Sequence, residues 1–463
     1  MSGDSPAVTR ALAEYAIHSD LSAVPAEAVA LARRTLVDTV GVAIGARHDP
    51  AVAVVRDLVG GGPGASTVLV DGSTARPHDA ALVNGVAAHA LDYDDVVDVL
   101  YGHPSTVLWP ALLAAGETHR VSTRQLVEAY LVAFDVEMAL TQGFVLREHY
   151  ARGWHSTATL GVLAAAAGVA RLLGRTAEEA ATALGIAASM AGGSRQNFGT
   201  MTKPLHAGLA ARDGVLAAGL AAGGFTADTG QIEGPLGFVA LYGQDRSRVD
   251  RIVPALPAAP GTAVLRDGVN VKKYPACYNT QRTLDAALAV AARGVRPQDV
   301  AEIALTVEPG GLDPLIHHRP TTGLEGKFSG EYAVAAALLD GAVALSTYTD
   351  VAVRRPEARA LVERVRIAEA AQPPVGPATW EQAYAVVDVR LRDGRREVAR
   401  VDVPQGDRRA PMSDDDLRAK FEDCVTFAGF GAAADALHAR LARFGDAEPF
   451  TGLSPLADAT RVA

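Results

Sequence analysis

Cysteine is nearly absent: Cys277 and Cys424 are the only two in 463 residues. Two thiols cannot build a disulfide framework and fall short of the set that usually ligates an iron–sulfur cluster, so any dehydratase chemistry here has to work without one. Aromatic residues make up 5% of the chain, which leaves little to line a pocket for a carbocation. Hydrophobic residues reach 49% against 21% charged, yet no apolar run is long and unbroken enough to span a bilayer, and a soluble protein is expected. Met1-Ser2-Gly3-Asp4-Ser5-Pro6 has neither the basic nor the apolar region of an export signal, so a cytoplasmic location is the default expectation. Positive charge is in deficit. With 53 Asp and Glu against 43 Lys and Arg the formal net charge is −10, which disfavours nucleic acid and anionic membrane as partners.

Acid is missing locally as well. Between Ala180 and Arg212 there is no Asp or Glu, while Arg195, Lys203, His206 and Arg212 are present; from Gly268 to Leu284 there is again none, with Lys272, Lys273 and Arg282. Two cation-bearing, acid-free windows in an acidic chain are what a site for a small anionic substrate requires.

A chain of this length divides into two domains, because single cores stop growing at roughly 250–300 residues. Up to about residue 260 the pattern is of alanine- and leucine-rich helices with apolar residues on more than one face: Ala26 to Ile44, Pro104 to Thr118, Thr123 to Leu140, His155 to Leu173, Ala177 to Ala191 and Gly208 to Ala222. The one strand-like run there is Thr67 to Val70, before the turn Asp71-Gly72. Pro254, Pro257 and Pro260 mark a change of character. After them Glu302 to Glu308 alternates as a half-buried strand, and Tyr384 to Leu391, Asp393-Gly394 and Arg396 to Val403 predict a hairpin. Helices are expected at Thr280 to Ala292 and Glu331 to Leu339, then again after Pro411, where Ser413 caps the acidic turn Asp414-Asp415-Asp416. A final helix is expected near Gly431 to Phe444.

The chemistry-bearing residues concentrate in a few places. Asn84 to Asp95 reads as a continuing helix that carries His89, Asp92, Asp94 and Asp95, with His103-Pro104-Ser105 following. On that helix His89 and Asp92 share a face, as do Asp92 and Asp95. For His89 the favoured role is a buried His–Asp pair that supports the fold, and Asp94 and Asp95 are expected to be structural too. Asp94-Asp95-Val96-Val97-Asp98 has the spacing of a magnesium–diphosphate motif, but no second acidic motif accompanies it, so a terpenoid-synthase-type enzyme ranks low and no metal is expected. His103 stands before a helix start opened by Pro104, where the positive helix end favours anions and a neutral imidazole. Gly153-Trp154-His155-Ser156-Thr157 repeats that arrangement. In Thr202-Lys203-Pro204-Leu205-His206 an ammonium sits at a helix N-terminus, where the dipole disfavours it unless an anion compensates; Asp92 or a substrate carboxylate can serve. Lys272-Lys273-Tyr274-Pro275-Ala276-Cys277 follows the proline-rich boundary, where solvated hinge charges are ordinary and ligand clefts are also common. Cys277 near a helix start is either a small buried thiol or one of lowered pKa.

Together these pieces resemble the MmgE/PrpD family, which includes 2-methylcitrate dehydratase, cis-aconitate decarboxylase and iminodisuccinate epimerase. The resemblance runs through Asn84-Gly85, His89, Asp92 to Asp95, His103-Pro104-Ser105, Gly153-Trp154-His155 and Thr202 to Gly208. It continues through Glu233 to Phe238, Lys272 to Pro275 and Phe328 to Ala333. It implies a mainly α fold, with a large all-helical domain formed by both chain ends (1–266 and 408–463) and a smaller α/β lid domain (267–407). It also implies a homodimer and a site between the domains. Its active-site positions match Asp92, His103, His155, Lys203, Lys272 and Tyr332, with Lys203, His206, Lys272, Lys273 and Cys277 placed to bind substrate. Val96 and Cys277 depart from the decarboxylase branch, which has a threonine and a second histidine there. The expected function is therefore a cofactor-independent lyase or epimerase that moves a proton next to a carboxylate of a small di- or tricarboxylate, a 2-methylcitrate dehydratase-like hydro-lyase being favoured. In that scheme Lys203 and Lys272 bind carboxylate, His103 and His155 serve as base and acid in either order, Asp92 orients His103 or Lys203, and Tyr332 donates a hydrogen bond or proton. The alternative is a family member that binds a metabolite without turnover.

Overall fold

The computed structural model describes residues 7–59, 63–377 and 383–454, so the Met1 to Pro6 stretch lies outside the described residues. The chain forms two compact units, Met1–Asn270 with Leu417–Ala463 and Val271–Asp416.

In the first unit, long helices at Ala26–Gly45, Pro77–Ala90, Ser105–Glu117, Thr123–Thr141, Gly161–Leu172, Ala177–Met190 and Thr202–Ala222 enclose a core rich in alanine. Start signals are local and chemical: Ser122 with Gln125 and Thr176 with Glu179 form capping boxes that satisfy the first free N–H groups. Every residue from Ala80 to Ala90 is buried, which explains why that helix shows no polar stripe in sequence. Its closest neighbour is the Thr202–Ala222 helix. A Cβ on Gly85 would lie 2.8 Å from Gly208 Cα, and one on Gly208 would lie 2.5 Å from the Leu82 carbonyl. The two glycines thus let these backbones touch, and that contact brings the end of one helix beside the start of the other.

Near its C-terminal end the chain returns to this unit. Lys420 Nζ pairs with Asp38 Oδ1 at 2.5 Å and donates to the Tyr93 carbonyl at 2.7 Å, which ties down the segment after His89. The first turn of the Asp414–Phe427 helix is capped by Ser413, whose hydroxyl accepts the Asp416 N–H at 3.0 Å.

The second unit is built on a four-stranded sheet: β3 (Val300–Val307), β4 (Val365–Glu369), β5 (Ala385–Leu391) and β6 (Arg396–Val401) in the order β4-β3-β5-β6. β3 runs parallel to β4 and antiparallel to β5, and β5–β6 is the hairpin expected around Asp393-Gly394. Along β3, Val300, Ile303, Leu305 and Val307 are buried while Glu302 and Ala304 face out, so one face meets the core. The Tyr278–Ala291 helix packs over β5 and β6, and the Gly330–Asp340 helix over β4 and β3.

The expected mainly α fold with an all-helical large domain is corrected by these strands. Beside the four-stranded sheet, the first unit holds a two-stranded hairpin, β1 (Ser66–Thr67) with β2 (Thr74–Ala75). The protein is 55% helical with two sheets among the described residues, a helix-rich mixed α/β fold. The strand expected at Thr67 to Val70 is shorter and lies at Ser66–Thr67, with the expected turn Asp71-Gly72 inside the loop that follows; its partner β2 has no apolar alternation to betray it. Among the described residues no helix is long and apolar enough to cross a membrane.

Candidate functional site

The Pro77–Ala90 helix ends at Ala90 instead of running on through the aspartates. Leu91 caps it, and Asp92 takes φ 51°, a left-handed conformation that a non-glycine residue holds only when its surroundings fix it. The helical faces expected of this run therefore do not exist. His89 pairs with Asp94 in place of Asp92, and Asp95 turns elsewhere.

Asp94 is fully buried and serves two rings. Its Oδ2 lies 2.9 Å from His89 Nδ1 and 2.9 Å from His103 Nδ1, with the ring centroids 4.5 Å apart. His103 Nδ1 also faces the Asp95 carbonyl at 2.8 Å. A nitrogen facing two acceptors must carry the proton, so on His103 the lone pair is at Nε2. The same logic puts the His89 proton on Nδ1. The His103 backbone is held in turn, its N–H donating to Thr157 Oγ1 at 3.1 Å.

His155 stands immediately before the short Ser156–Thr159 helix, its ring centroid 5.9 Å from that of His89 and 6.3 Å from that of His103. Its Nδ1 lies 3.1 Å from His206 Nδ1, so one of these two nitrogens donates and the other accepts. His206 comes from the first turns of the Thr202–Ala222 helix, as does Lys203, whose Nζ pairs with Asp92 Oδ1 at 2.7 Å in a buried ion pair. Asp92 is the anion that the lysine's position required. The ammonium also lies 5.3 Å from the centre of the Phe198 ring.

The electrostatics follow from burial. Removal from water holds His89 down at about 4, and the nearby Lys203 ammonium acts in the same direction against the upward pull of Asp94. Burial, then the neighbouring histidines and Lys203, push His155 well below the ordinary imidazole value; burial and Lys203 lower His206. At neutral pH these three rings are uncharged bases in a dry site beside one paired ammonium.

Asp95 and Asp98 do not join them. Asp95 accepts from the Ser105 hydroxyl, which lies 2.8 Å from Tyr130 Oη, and burial pushes its carboxyl up to about 8, against the opposing Ser105 bond and with the help of Asp38 and Asp94. Asp98 accepts from Asn270 Nδ2 at 3.0 Å. Asp94, Asp95 and Asp98 thus have separate partners, and the magnesium–diphosphate pattern does not form a common site.

Five of the residues singled out from sequence, Asp92, His103, His155, Lys203 and His206, converge in this cluster. Lys272, Lys273, Cys277 and Tyr332 belong to the second unit and are described within it. Lys272 is buried, and Lys273 Nζ bonds Gln405 Oε1. Cys277 is buried at the start of the Tyr278–Ala291 helix, where its N–H donates to the Lys327 carbonyl at 3.1 Å and its side chain packs with Leu315 and Phe328. Tyr332 is in the core of that unit. Its hydroxyl donates to the Thr347 carbonyl at 2.7 Å, and burial raises its pKa to about 12. His89 and Asp94, read from sequence as fold supports, stand inside the cluster. No sequence signal marks them, because the helix stop that puts His89 and Asp94 on opposite sides of a single turn is set by the Asp92 backbone conformation.

The chain matches the MmgE/PrpD N-terminal domain over residues 10–249 and the MmgE/PrpD C-terminal domain over residues 274–440. It is 31% identical over 357 residues to the cis-aconitate decarboxylase of Homo sapiens, covering 74% of this chain and 72% of that protein. The cis-aconitate decarboxylase of Mus musculus is 32% identical over 356 residues, 74% of this chain and 71% of that one. That of Aspergillus terreus is 25% identical over 383 residues, 77% of each. With both domains matched in order along most of its length, the chain belongs to the MmgE/PrpD family.

Proposed function

We propose that this protein is a lyase acting on a small tricarboxylate, and that its chemistry is proton transfer at a carbon next to a carboxylate. The observation that carries this reading is the buried set of uncharged histidines, with the His103 tautomer fixed by Asp94, packed around the Lys203–Asp92 pair. Loss of CO2, or of an α-proton, leaves an electron pair on carbon that must spread into a neighbouring carboxylate. A cation aimed at that carboxylate stabilises the charge most where water is excluded. Lys203 is such a cation, and Asp92 holds it in place. His103 offers its Nε2 lone pair to accept a proton, and the imidazolium so formed, or His155 once it has taken a proton from solvent, returns one to carbon.

The relatives named above are decarboxylases of cis-aconitate, which makes a carboxy-lyase the first reaction to test. In it the C–C bond to one carboxylate breaks, CO2 leaves, and the resulting carbanion takes up a proton that solvent supplies through a histidine. A second reading, the hydro-lyase, is favoured by a specific observation. Cys277, standing where the decarboxylase branch has a histidine, sits in an apolar set with Leu315 and Phe328 and brings no imidazole. The discriminating experiment incubates the protein with cis-aconitate and with 2-methylcitrate, following CO2 release, water loss and α-carbon deuterium exchange by NMR. CO2 from cis-aconitate supports the first reading and dehydration of the hydroxy acid the second. Thermal stabilisation by these acids with no exchange in either would make the protein a binder and reject the proposal.

A further inference from the structure

We infer that Arg195 binds a second carboxylate of the substrate, one remote from the reacting carbon, and so selects tricarboxylates over dicarboxylates. The inference rests on the lyase reading above, in which Lys203 takes the carboxylate next to that carbon. Arg195 stands in the acid-free window between Ala180 and Arg212. Two main-chain bonds carry it to the histidine cluster: the His155 N–H donates to the Gly193 carbonyl at 3.1 Å, and the Arg195 N–H donates to the Gly153 carbonyl at 2.8 Å. The segment that bears Arg195 is thereby paired, residue against residue, with the segment that bears His155.

One aromatic ring joins Arg195 to the reaction centre. The Phe198 centroid lies 5.5 Å from Arg195 Cζ, 5.3 Å from Lys203 Nζ and 5.0 Å from the His155 ring centroid. Two cations thus flank a single ring, and a ligand with one carboxylate at Lys203 can extend a second to Arg195 along it. The guanidinium is held in place for that contact. Its Cζ stands 3.4 Å from the centre of the Tyr150 ring, and Nη1 donates to the Tyr150 carbonyl at 2.6 Å. Tyr101, in a left-handed conformation at φ 52°, packs its own ring 5.7 Å from that of Tyr150.

The charge of Arg195 is not used within the fold. Among the described residues no carboxylate pairs with it; Glu148, on the Leu146–Ala151 helix that also carries Tyr150, is paired with Arg152 at 3.1 Å. Arg195 Nε is buried and has no hydrogen-bond partner among the described residues, although the residue as a whole is half-buried. A guanidinium with that edge unsatisfied forfeits charge-assisted hydrogen bonds, and a carboxylate is the planar acceptor that matches the edge with two oxygens. Arg195 moves no proton in this scheme. It fixes the far end of the substrate, and the histidines and Lys203 act on the near end.

The test reads binding without turnover, so it fails separately from the lyase reading. Tricarballylate, a saturated tricarboxylate, and methylsuccinate, the same skeleton without one terminal carboxylate, are titrated by calorimetry into the unaltered full-length protein and into Arg195→Met. The unaltered protein should bind tricarballylate more tightly than methylsuccinate. Arg195→Met should weaken tricarballylate by about 10- to 150-fold and leave methylsuccinate unchanged, so that crossing variant with ligand isolates the one contact. Arg195→Lys keeps the charge without the planar fork and should recover part of the loss. With a substrate that is turned over, the Arg195→Met defect should appear in KM while kcat holds. This pattern of binding supports the assignment even in a protein that turns over neither acid class, a result that would reject the lyase reading alone. Equal losses for both acids, which a purely structural clamp would give, or unchanged tricarballylate affinity in folded Arg195→Met would overturn it. So would the absence of any preference for tricarballylate in the unaltered protein, a readout that needs no variant to fold.

Discussion

Asp94→Asn is the most informative single change, because one carboxylate oxygen positions two imidazoles at 2.9 Å each. Asparagine keeps the shape but offers one accepting oxygen and a nitrogen that only donates. With that oxygen in the place of Oδ2 both rings can still donate from Nδ1, but to a neutral acceptor in place of a charged one. A hydrogen bond to a charged group is worth about 1.5–3 kcal/mol, and losing one corresponds to about a ten- to 150-fold fall in kcat/KM. A second signature separates this from mere loosening. Asp94 raises the proton affinity of His89 against the effect of burial, so removing its charge lowers that affinity further and shifts the acid limb of the kcat/KM profile to lower pH. The assay is steady-state turnover of whichever tricarboxylate the protein consumes, from pH 3 to 9, with circular dichroism confirming the fold. A folded Asp94→Asn protein with unchanged kcat/KM and an unshifted profile refutes the positioning argument.

Lys203→Met preserves the alkyl body but removes the cation. Turnover should fall by about 100- to 1,000-fold, as for loss of a charge-stabilising donor, and urea unfolding should show a loss of about 3–5 kcal/mol because Asp92 loses its buried partner. Gly208→Ala puts a methyl 2.5 Å from the Leu82 carbonyl and should cost about 1–3 kcal/mol, whereas Gly219→Ala, in the same helix with open space at its Cβ, should stabilise by about 0.5–1 kcal/mol; equal effects would contradict the glycine crossing. Asp95 gives a pH prediction. Its folded carboxyl is at about 8 against an ordinary 3.8, so between those values the folded chain holds a proton that the unfolded chain has released, and stability falls as pH rises. His89, at about 4 against 6.5, works in the opposite sense but only below 6.5. From pH 6.5 to 8 the Asp95 contribution is about 2 kcal/mol lost, and Asp95→Asn should remove that slope in urea titrations run at both ends.

Much of the site was legible in sequence because the laws involved are local. A lysine at a helix start demands an anion, and Lys203 has Asp92; histidines before Pro104 and Ser156 mark helix ends that can face one point. What was not legible depended on backbone conformation. Nothing in Ala90-Leu91-Asp92 forces a helix stop by propensity. The turn is made by Asp92 in a left-handed conformation, which tertiary contacts such as Lys420 on the Tyr93 carbonyl accompany. Without it His89 was assigned to the wrong aspartate and Asp94 to the background. The fold was read in the same way: alternation along β3 and the turn at Asp393-Gly394 exposed the large sheet, and the apolar run from Thr67 overlapped β1, while β2 was too short to carry any pattern.

The measurement that bears most directly on the central claim is deuterium wash-in at the carbon next to a carboxylate, followed by NMR for the unaltered protein and for Lys203→Ala across a panel of unsaturated and hydroxy tricarboxylates. The account predicts exchange or net conversion of at least one acid by the unaltered protein and its loss in a folded Lys203→Ala variant. Exchange that persists at full rate without Lys203, or no exchange with any acid of the panel, would contradict it.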